Sequence, residues 1–414
     1  MLEPTAIAQL EVTLALAWMQ KGLQKSRVTR QRIVTDSGIE PGRTLSRSEP
    51  VGAAMTIQYP AFKAAACHTS SVFLDAEKTA EKACDLIAEA AKGGAELVVF
   101  PESFLPGFPI WAALQAPIHN HGFFRALVSQ AQKVSDPAIR SIRMAARRHG
   151  VFVSLGFTEG TEASVGCIWN SNLLIGDDGS ILNHHRKLVP TFYEKLIWAN
   201  GDARGLRVSP TRLGRLGMLI CGENTNPLSR YALMAQGEQV HISSYPPIWP
   251  TRPPSEEGAY DLKRAIEIRA GPHAFEAKVF NIVASGFVDA AMREALGTAN
   301  RASLDIIDGS PRGISLVIDP SCNVIGEVLS EHEGILYADI DTEKGVEPKQ
   351  FHDVVGYYNR FDIFNLTINR TPLEPAHFID APTVETAAAD HARRGQLDNG
   401  EFSLREFDGI GPLS

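Results

Sequence analysis

Three residues whose side chains are suited to covalent chemistry follow apolar, strand-like segments of this 414-residue chain. Glu102 follows the run AELVVFP, Lys187 lies in NHHRKLVPT, and Cys221 closes RLGMLIC. In α/β proteins, the carboxyl ends of strands are where catalytic groups are presented. A helix predicted to start near Asn226 would place its positive end close to the thiol and favour the thiolate. Cys221 is therefore a candidate nucleophile.

Each of these residues also has a purely structural interpretation. A single cysteine at the end of an apolar strand is usually a small buried hydrophobic residue. A glutamate after a strand is often a cap, and a single lysine is often solvated. Position alone leaves both interpretations open for Glu102, Lys187 and Cys221.

The elements that must position these residues follow an alternating pattern from Phe62 onward. Apolar residues recur every three to four positions at 78–92 and 138–149, which predicts two amphipathic helices, each followed by glycine. A shorter helix is predicted at 226–236. Strands are predicted at 62–67, 95–100, 151–157, 172–175, 180–183, 215–221, 240–244, 279–285, 313–318 and 335–340. Helices alternating with mostly apolar strands predict an α/β layered sandwich.

The local sequences around the three residues are more specific than their positions. FPESFLPG at 100–107, HRKLVPT at 185–191 and CGEN at 221–224 occur in this order. Together they closely resemble the Glu, Lys and Cys boxes of the nitrilase (carbon–nitrogen hydrolase) superfamily. KLVPTFYEKLIW at 187–198 and GENTNPL at 222–228 resemble the nitrilase branch in particular. The similarity extends over about residues 62–370.

This resemblance implies a four-layer αββα sandwich with a single catalytic domain, and it implies roles for individual residues. Cys221 would attack a nitrile carbon to give a thioimidate, Glu102 would act as general base, and Lys187 would stabilise developing negative charge. Water would then release ammonia, and a second water would release the carboxylic acid from a thioester. Glu194 matches a second glutamate that orients the lysine and the water. Its structural alternative is a helix-surface residue beside Lys195.

The same site is compatible with other outcomes. A nitrile or cyanide hydratase would release an amide, and an amidase would start from one. A catalytically silent scaffold would keep the fold for assembly only. The resemblance also implies homo-oligomers, either dimers or larger spirals.

Aromatic residues near the three boxes are candidate walls of a substrate pocket, with core packing as the alternative. If they line a pocket, an aromatic or bulky aliphatic nitrile fits better than cyanide. Gly222 stands where many nitrilases carry Trp, which predicts a less filled wall beside the nucleophile. Tyr357 stands where many carry His. The candidate pocket residues are Phe108, Trp111, Trp169, Tyr193, Gly222 and Trp249.

No metal or cofactor is expected. The pairs His119/His121 and His184/His185 lack matching carboxylates or thiols at metal-ligand spacing. Neither a GxGxxG nor a GxxxxGK[ST] stretch occurs, so the sequence gives no support for nucleotide binding.

Composition limits the partners and the compartment. The net charge is −8, with 40 basic and 48 acidic residues, so no overall basic field attracts nucleic acid or anionic lipid. No uncharged apolar run reaches the roughly 18–20 residues needed to span a bilayer. Five cysteines in so long a chain are too few for a disulfide framework. We therefore expect a cytoplasmic enzyme with a small-molecule nitrile as substrate.

The two ends of the chain differ from the middle. Residues 1–54 carry an excess of basic residues and much Gly, Pro and Ser, and Met55 stands just before the first predicted strand. We interpret 1–54 as an N-terminal extension, either an appendage or the product of a misplaced start codon. Residues 55–370 form the predicted catalytic domain, and 371–414 a tail that is extended or disordered.

Overall fold

Two six-stranded sheets form the centre of the protein in a computed structural model. The structure describes residues 57–253, 255–299, 301–373, 376–380 and 383–386, all within one unit that begins at Ile57. The predicted extension at 1–54 lies outside the described residues. So does most of the predicted tail, of which a hairpin is described, His377–Asp380 paired with Thr383–Thr386.

The strands of the two large sheets agree with the predicted strand set and add two edge strands. In chain order they are β1 (Ala61–His68), β2 (Leu97–Val99), β3 (Phe152–Glu159), β4 (Trp169–Ile175), β5 (Ile181–Arg186), β6 (Ser209–Thr211), β7 (Gly214–Ile220), β8 (Val240–Tyr245), β9 (Phe280–Ser285), β10 (Ser315–Ile318), β11 (Val324–Leu329) and β12 (Gly334–Asp341).

The strand order is β12-β1-β2-β3-β4-β5 in one sheet and β11-β10-β9-β8-β7-β6 in the other. In each sheet the central strands are parallel: β1, β2 and β3 in the first, and β7, β8 and β9 in the second. Their carboxyl ends therefore point the same way within each sheet, and this is the edge where the candidate residues emerge.

The described helices cover the outer faces of the sheets or lie in connections. They are α1 (Ala76–Lys92), α2 (Trp111–Leu114), α3 (His121–Gln130), α4 (Pro137–His149), α5 (Pro227–Met234), α6 (Leu262–Ala277), α7 (Ala290–Ala299), α8 (Ser303–Gly309) and α9 (Val346–Phe351). None of these described helices combines the length and apolar character needed to cross a bilayer.

Three buried apolar layers hold the sandwich together. Between the sheets, alternate residues of facing strands interlock, among them Leu97 and Val99 of β2 and Ile242 of β8. The other face of the first sheet packs against α1 and α4, with Ile87 and Ile142 fully buried. The outer face of the second sheet packs against α6. Since apolar burial supplies most of the favourable free energy of folding, these layers explain the helix–sheet–sheet–helix order. The predicted four-layer αββα sandwich is confirmed.

Candidate active site

Four polar side chains meet in the interior of the protein. Glu102, Lys187, Glu194 and Cys221 are each at most 4% exposed. The Nζ atom of Lys187 donates to Oε1 of Glu102 at 2.8 Å, and to Oε1 and Oε2 of Glu194 at 2.9 and 2.6 Å. The Cys221 Sγ and a carboxylate oxygen of each glutamate all lie within 4.8 Å of one another. The structure thus brings the four predicted catalytic residues into one cluster.

The backbone at Cys221, the candidate nucleophile, has an unusual conformation. β7 ends at Ile220, and Cys221 begins a short 3₁₀ helix, Cys221–Thr225. Cys221 has φ of +50°, in the left-handed region that a residue with a Cβ rarely adopts. Such strain is typical of functional sites, where the surrounding structure has to impose it.

Burial and the neighbouring charges shift the pKa values of Lys187 and Cys221. Burial would lower the pKa of Lys187, but the charges of Glu102 and Glu194 raise it above its ordinary value, so the amine stays an ammonium. Burial raises the pKa of the Cys221 thiol well above its ordinary value; the Glu102 charge adds to this, and Lys187 only partly offsets it. This direction is opposite to the thiolate expected from the nearby helix start. The buried cysteine therefore rests as a thiol and needs a base.

The glutamates are in different environments. Burial raises the pKa of Glu194 to about 7, against the lowering effect of Lys187. Oε1 of Glu102 accepts from Lys187 and from Nδ2 of Asn170 at 2.8 Å. Oε2 of Glu102 is buried and has no hydrogen-bond partner among the residues that the structure describes. Glu102 therefore has one carboxylate oxygen available to accept a proton.

Glu223, which the sequence analysis did not identify, connects the loop that carries Lys187 to the turn that carries Cys221. The buried Glu223 accepts from the backbone N–H of Leu188 at 2.6 Å and from that of Ile220 at 2.9 Å. Its Oε2 also lies 2.9 Å from Nε2 of His185. Because Leu188 follows Lys187 and Ile220 precedes Cys221, Glu223 fixes the spacing between these two candidate residues. Its position in the CGEN box was the only sequence signal.

Most of the predicted pocket residues lie in the same buried hydrophobic cluster as Cys221. Phe108, Trp111, Tyr193 and Trp249 belong to the cluster that contains Cys221. Tyr193 stacks on Trp249 with ring centres 4.3 Å apart, and Phe108 lies 6.0 Å from Trp249. These aromatic side chains thus pack in the same apolar cluster as the Cys221 thiol.

Two aromatic residues differ from the prediction. Trp169 is not a member of this cluster: its ring lies under the guanidinium of Arg186, 3.9 Å from it, and its Nε1 donates to the carbonyl of Asn200. Trp198 was not predicted, yet it belongs to the cluster and packs edge-on against Phe108 at 5.6 Å.

Gly222 does not border an open space. A Cβ at this position would lie 2.6 Å from Oγ1 of Thr191, well inside van der Waals contact. The side chain of Thr191 therefore occupies the place that a residue larger than glycine would need, and the expectation of a less filled wall beside the nucleophile is not met.

The two histidine pairs considered as metal ligands, His119/His121 and His184/His185, lie in different environments. His119 and His121 are exposed. Nε2 of His184 lies 2.8 Å from Oε2 of Glu159, and His185 contacts Glu223. Hydrogen bonds to glutamates thus account for the half-buried His184 and the buried His185.

Comparison with known proteins agrees with this geometry. The sequence profile of the carbon–nitrogen hydrolase family matches residues 63–349. A nitrilase of Paraburkholderia phymatum is 33% identical over 76% of this chain and 88% of its own length. A bromoxynil-specific nitrilase of Klebsiella pneumoniae subsp. ozaenae is 34% identical over 75% and 85%. An arylacetonitrilase of Hypocrea virens is 31% identical over 74% and 92%.

Solved structures share the fold at lower sequence identity. The NitFhit protein of C. elegans superimposes with a TM-score of 0.57 at 21% identity, covering 79% of this chain and 72% of that one. A carbon–nitrogen hydrolase of Helicobacter pylori gives 0.56 at 21% identity, covering 73% and 97%. From the family profile and the curated relatives, the chain belongs to the carbon–nitrogen hydrolase family and, within it, to the nitrilases, which hydrolyse nitriles.

Proposed function

We propose that the chain converts an aromatic or bulky aliphatic nitrile and two waters into the carboxylic acid and ammonia, with Cys221 as nucleophile. The observation that carries this proposal is the Lys187 ammonium held between Glu102 and Glu194, with the Cys221 thiol within 4.8 Å of both carboxylates. A nucleophile, a base and a fixed cation in one dry site are what attack on a weakly electrophilic carbon requires.

The first step transfers a proton and forms a bond. Oε2 of Glu102 takes the Cys221 proton, because it is the oxygen left free by Lys187 and Asn170. The thiolate attacks the nitrile carbon, one C–N π bond opens, and the nitrogen takes that proton from Glu102. The product is a neutral thioimidate on Cys221. Negative charge on nitrogen in the transition state lies near the Lys187 ammonium, which lowers the barrier.

Two waters complete the reaction. The first adds to the thioimidate carbon, and one of its protons passes to the nitrogen through Glu102. The hydroxyl group of this tetrahedral intermediate then gives up its proton, again through Glu102, to the nitrogen as the C–N bond breaks and ammonia leaves. A thioester remains. The second water, deprotonated by Glu102, attacks this thioester, and the C–S bond breaks to return the thiol and the carboxylic acid.

To stabilise the intermediate, Lys187 needs one N–H group that is not already bonded to a glutamate. In the structure, Nζ contacts three carboxylate oxygens, which matches its three N–H groups. Glu194 supplies two of these oxygens, so one contact can be given up without losing the ion pair. When one Glu194 oxygen lets go, a Lys187 N–H is freed to donate to the intermediate, while the other oxygen keeps the ammonium paired.

The substrate class follows from the apolar wall. Phe108, Tyr193, Trp198 and Trp249 belong to the buried apolar cluster that contains Cys221, and we take their rings as the wall of the substrate pocket. Such a wall favours an aromatic or bulky side chain over the small, strongly hydrated cyanide ion. The names of two relatives, an arylacetonitrilase and a bromoxynil-specific nitrilase, lend support because both refer to aromatic nitriles.

We also propose that a second copy of this chain covers the exposed apolar segment near its C-terminal end. Tyr357, Tyr358, Phe361, Ile363 and Phe364 are each 59–73% exposed, an unusual density of apolar surface. Self-association would bury this segment and can be measured by sedimentation velocity. A cytoplasmic location is proposed as well, since the five cysteines are free thiols.

Product analysis tests the proposed reaction. Purified enzyme is incubated with benzonitrile, phenylacetonitrile, a branched aliphatic nitrile and cyanide, and acid, amide and ammonia are quantified. We expect equal amounts of acid and ammonia, fastest with the aromatic nitriles. Amide without ammonia would identify a hydratase instead, and hydrolysis of amides but not nitriles would identify an amidase. No turnover of either would favour a scaffold. Cyanide as the preferred substrate would overturn the proposed pocket.

A further inference from the structure

A second group of buried polar residues lies directly behind the nucleophile, and the proposed reaction does not use it. Glu238, His241, His273 and Asn224 are between 0 and 3% exposed. They connect the end of α5, strand β8, helix α6 and the 3₁₀ helix that follows Cys221. Burying this many polar groups is costly unless each has a partner, so the pattern of contacts shows what the group does.

Asn224 contacts the backbone of the nucleophile. Its Nδ2 donates to the carbonyl of Cys221 at 3.1 Å and lies 3.4 Å from that of Leu219. A carbonyl oxygen can only accept, so these contacts fix which end of the Asn224 amide faces the turn. Oδ1 therefore faces the other way, towards Nε2 of His241 at 2.9 Å and the hydroxyl of Ser243 at 3.3 Å.

His241 consequently lies between two oxygen acceptors. Nε2 faces Oδ1 of Asn224, and Nδ1 faces Oε1 of Glu238 at 2.7 Å. A neutral imidazole has a single N–H and satisfies one acceptor only. Both contacts are hydrogen bonds only if the ring carries a proton on each nitrogen. His241 is then a buried imidazolium, neutralised by the Glu238 carboxylate.

His273 completes the group without adding charge. Its Nε2 donates to Oε2 of Glu238 at 2.7 Å, and Nδ1 has no partner within the described part of the chain. Burial first, and then the charge of His241, lower the pKa of His273 to about 4, so this ring is neutral at neutral pH. Its ring stacks on that of His241 with centres 3.6 Å apart.

These contacts favour hydrogen bonding over a bound metal ion. Each carboxylate oxygen of Glu238 already lies 2.7 Å from one ring nitrogen, of His241 or His273. An ion bound by all three residues would have to replace both hydrogen bonds. Ligand atoms of Glu238, His241 and His273 lie within 4.8 Å of one another, but the two rings are stacked and nearly parallel, at 20°.

We propose that Glu238, His241 and Asn224 form a charged positioning chain that holds the Cys221 carbonyl and thereby aims the thiol. This inference rests on Cys221 as the nucleophile. The left-handed φ of Cys221 needs support from its surroundings, and the hydrogen bond from Asn224 supplies it at the carbonyl of that same residue. Glu238 keeps His241 protonated, and His241 keeps the Asn224 amide turned so that its N–H faces Cys221.

The substitution His241→Phe tests the chain from its middle. Phenylalanine keeps an aromatic ring but has no N–H, so Oδ1 of Asn224 loses the donor on His241 that holds the amide in place. The amide of Asn224 can then turn its N–H away from the Cys221 carbonyl. We expect kcat on the preferred nitrile to fall about 10- to 100-fold, the scale of a small misplacement of a reacting group, with KM changed less than about threefold.

Asn224→Asp tests the near end, because it keeps the shape and Oδ1 but removes the Nδ2 donor. The same fall in kcat is expected. Ser243→Ala is the matched control: Ser243 contacts the same Oδ1 and also Asn281, but not the nucleophile. It should keep kcat within about twofold of wild type.

Each variant is checked by thermal unfolding, and kcat is expressed per folded enzyme. If His241→Phe does not fold, the result for Asn224→Asp decides between the outcomes. A folded variant of either kind with wild-type kcat would overturn the positioning chain. The proposed reaction is judged separately, by acyl transfer to Cys221 in the wild-type enzyme, so one can fail while the other stands.

Discussion

Glu194 binds the Lys187 ammonium through both of its carboxylate oxygens, at 2.9 and 2.6 Å. Oε2 of Glu194 also accepts from the backbone N–H of Thr191 at 2.8 Å, so the side chain is fixed as well as paired. Glu102, in contrast, contacts the same ammonium through one oxygen and leaves the other free. This asymmetry supports the proposed division of roles, in which Glu194 orients the lysine and Glu102 moves protons.

Replacing Glu194 by Gln should slow the reaction far more than it weakens binding. Glutamine has one acceptor oxygen, and its NH₂ group would face either Lys187 or the Thr191 N–H. We expect kcat to fall about 100-fold with KM within about threefold, as measured by steady-state ammonia release. Lys195→Ala, at the exposed next position of the same 3₁₀ helix, is the control and should be near wild type. An unchanged kcat in Glu194→Gln would leave Glu194 with a structural role only.

Glu194 should also give folding stability a distinctive pH dependence. Its pKa is raised from 4.5 to about 7 by burial, so the folded protein binds this proton more tightly than the unfolded chain does. The contribution of Glu194 to stability is therefore fully present below about pH 4.5 and is lost as pH rises to about 7.

Urea unfolding at pH 5, 6 and 7 measures this effect. The wild-type free energy of unfolding, minus that of Glu194→Gln, should decrease over this range, since glutamine does not titrate. Subtraction removes the other groups that titrate between pH 5 and 7. A difference that stays constant or increases with pH would show that the Glu194 pKa is not raised.

Removing the Glu223 carboxylate should disturb catalysis through geometry. Glu223→Gln leaves one of the donors of Leu188, Ile220 or His185 facing an NH₂ group, at a cost of about 1–3 kcal/mol in unfolding free energy. Because these donors flank the catalytic lysine and cysteine, kcat should fall about 10- to 100-fold.

Glu333→Gln provides a matched control for this variant. Glu333 also accepts several hydrogen bonds, from Thr69, Ser70 and Lys82, but none of these residues belongs to the active site. Because Glu333 is exposed whereas Glu223 is buried, we expect a smaller loss of stability, with unchanged kcat. If both variants lost stability and neither lost kcat, Glu223 would be a structural residue and no more.

The contact between Gly222 and Thr191 predicts coupled substitutions. Gly222→Ala places a Cβ 2.6 Å from Oγ1 of Thr191 and should destabilise the protein by about 1–3 kcal/mol. Adding Thr191→Ala should restore most of this loss, giving a coupling energy in a double-mutant cycle measured by urea unfolding. Gly166→Ala, where nothing lies within 4 Å, is the neutral control. Additive losses in the double variant would rule out the steric explanation.

The helices and strands whose apolar residues recur at a regular spacing were predictable from the sequence. The helices expected at 78–92 and 138–149 are α1 and α4, whose apolar residues face one sheet. Helix α6 (Leu262–Ala277) was not predicted. It contains Gly271 and Pro272, which normally interrupt helices, and Ile268 and Phe275 are exposed, so no single apolar face is visible in its sequence.

The site was predictable where its residues carry a local motif. Glu102, Lys187 and Cys221 each lie in a short box, and the structure brings them together. Glu223 and His241 act through partners that the fold supplies, such as Leu188, 35 residues from Glu223. Such contacts leave no periodic signal in a single sequence. They depend on where β5 and β7 end, which places Lys187 near Cys221, and on the parallel pairing of β8 with β7, which places His241 beside Gly217.

The most direct test of Cys221 as the nucleophile is the mass of the covalent intermediate. The enzyme is mixed with phenylacetonitrile, quenched in acid within the first turnover, and analysed by intact-protein and peptide mass spectrometry. We predict an added thioimidate or thioester mass on the peptide that contains Cys221, with no adduct and no turnover in Cys221→Ala. Product formation by a folded Cys221→Ala variant, or an adduct on another residue, would contradict the mechanism.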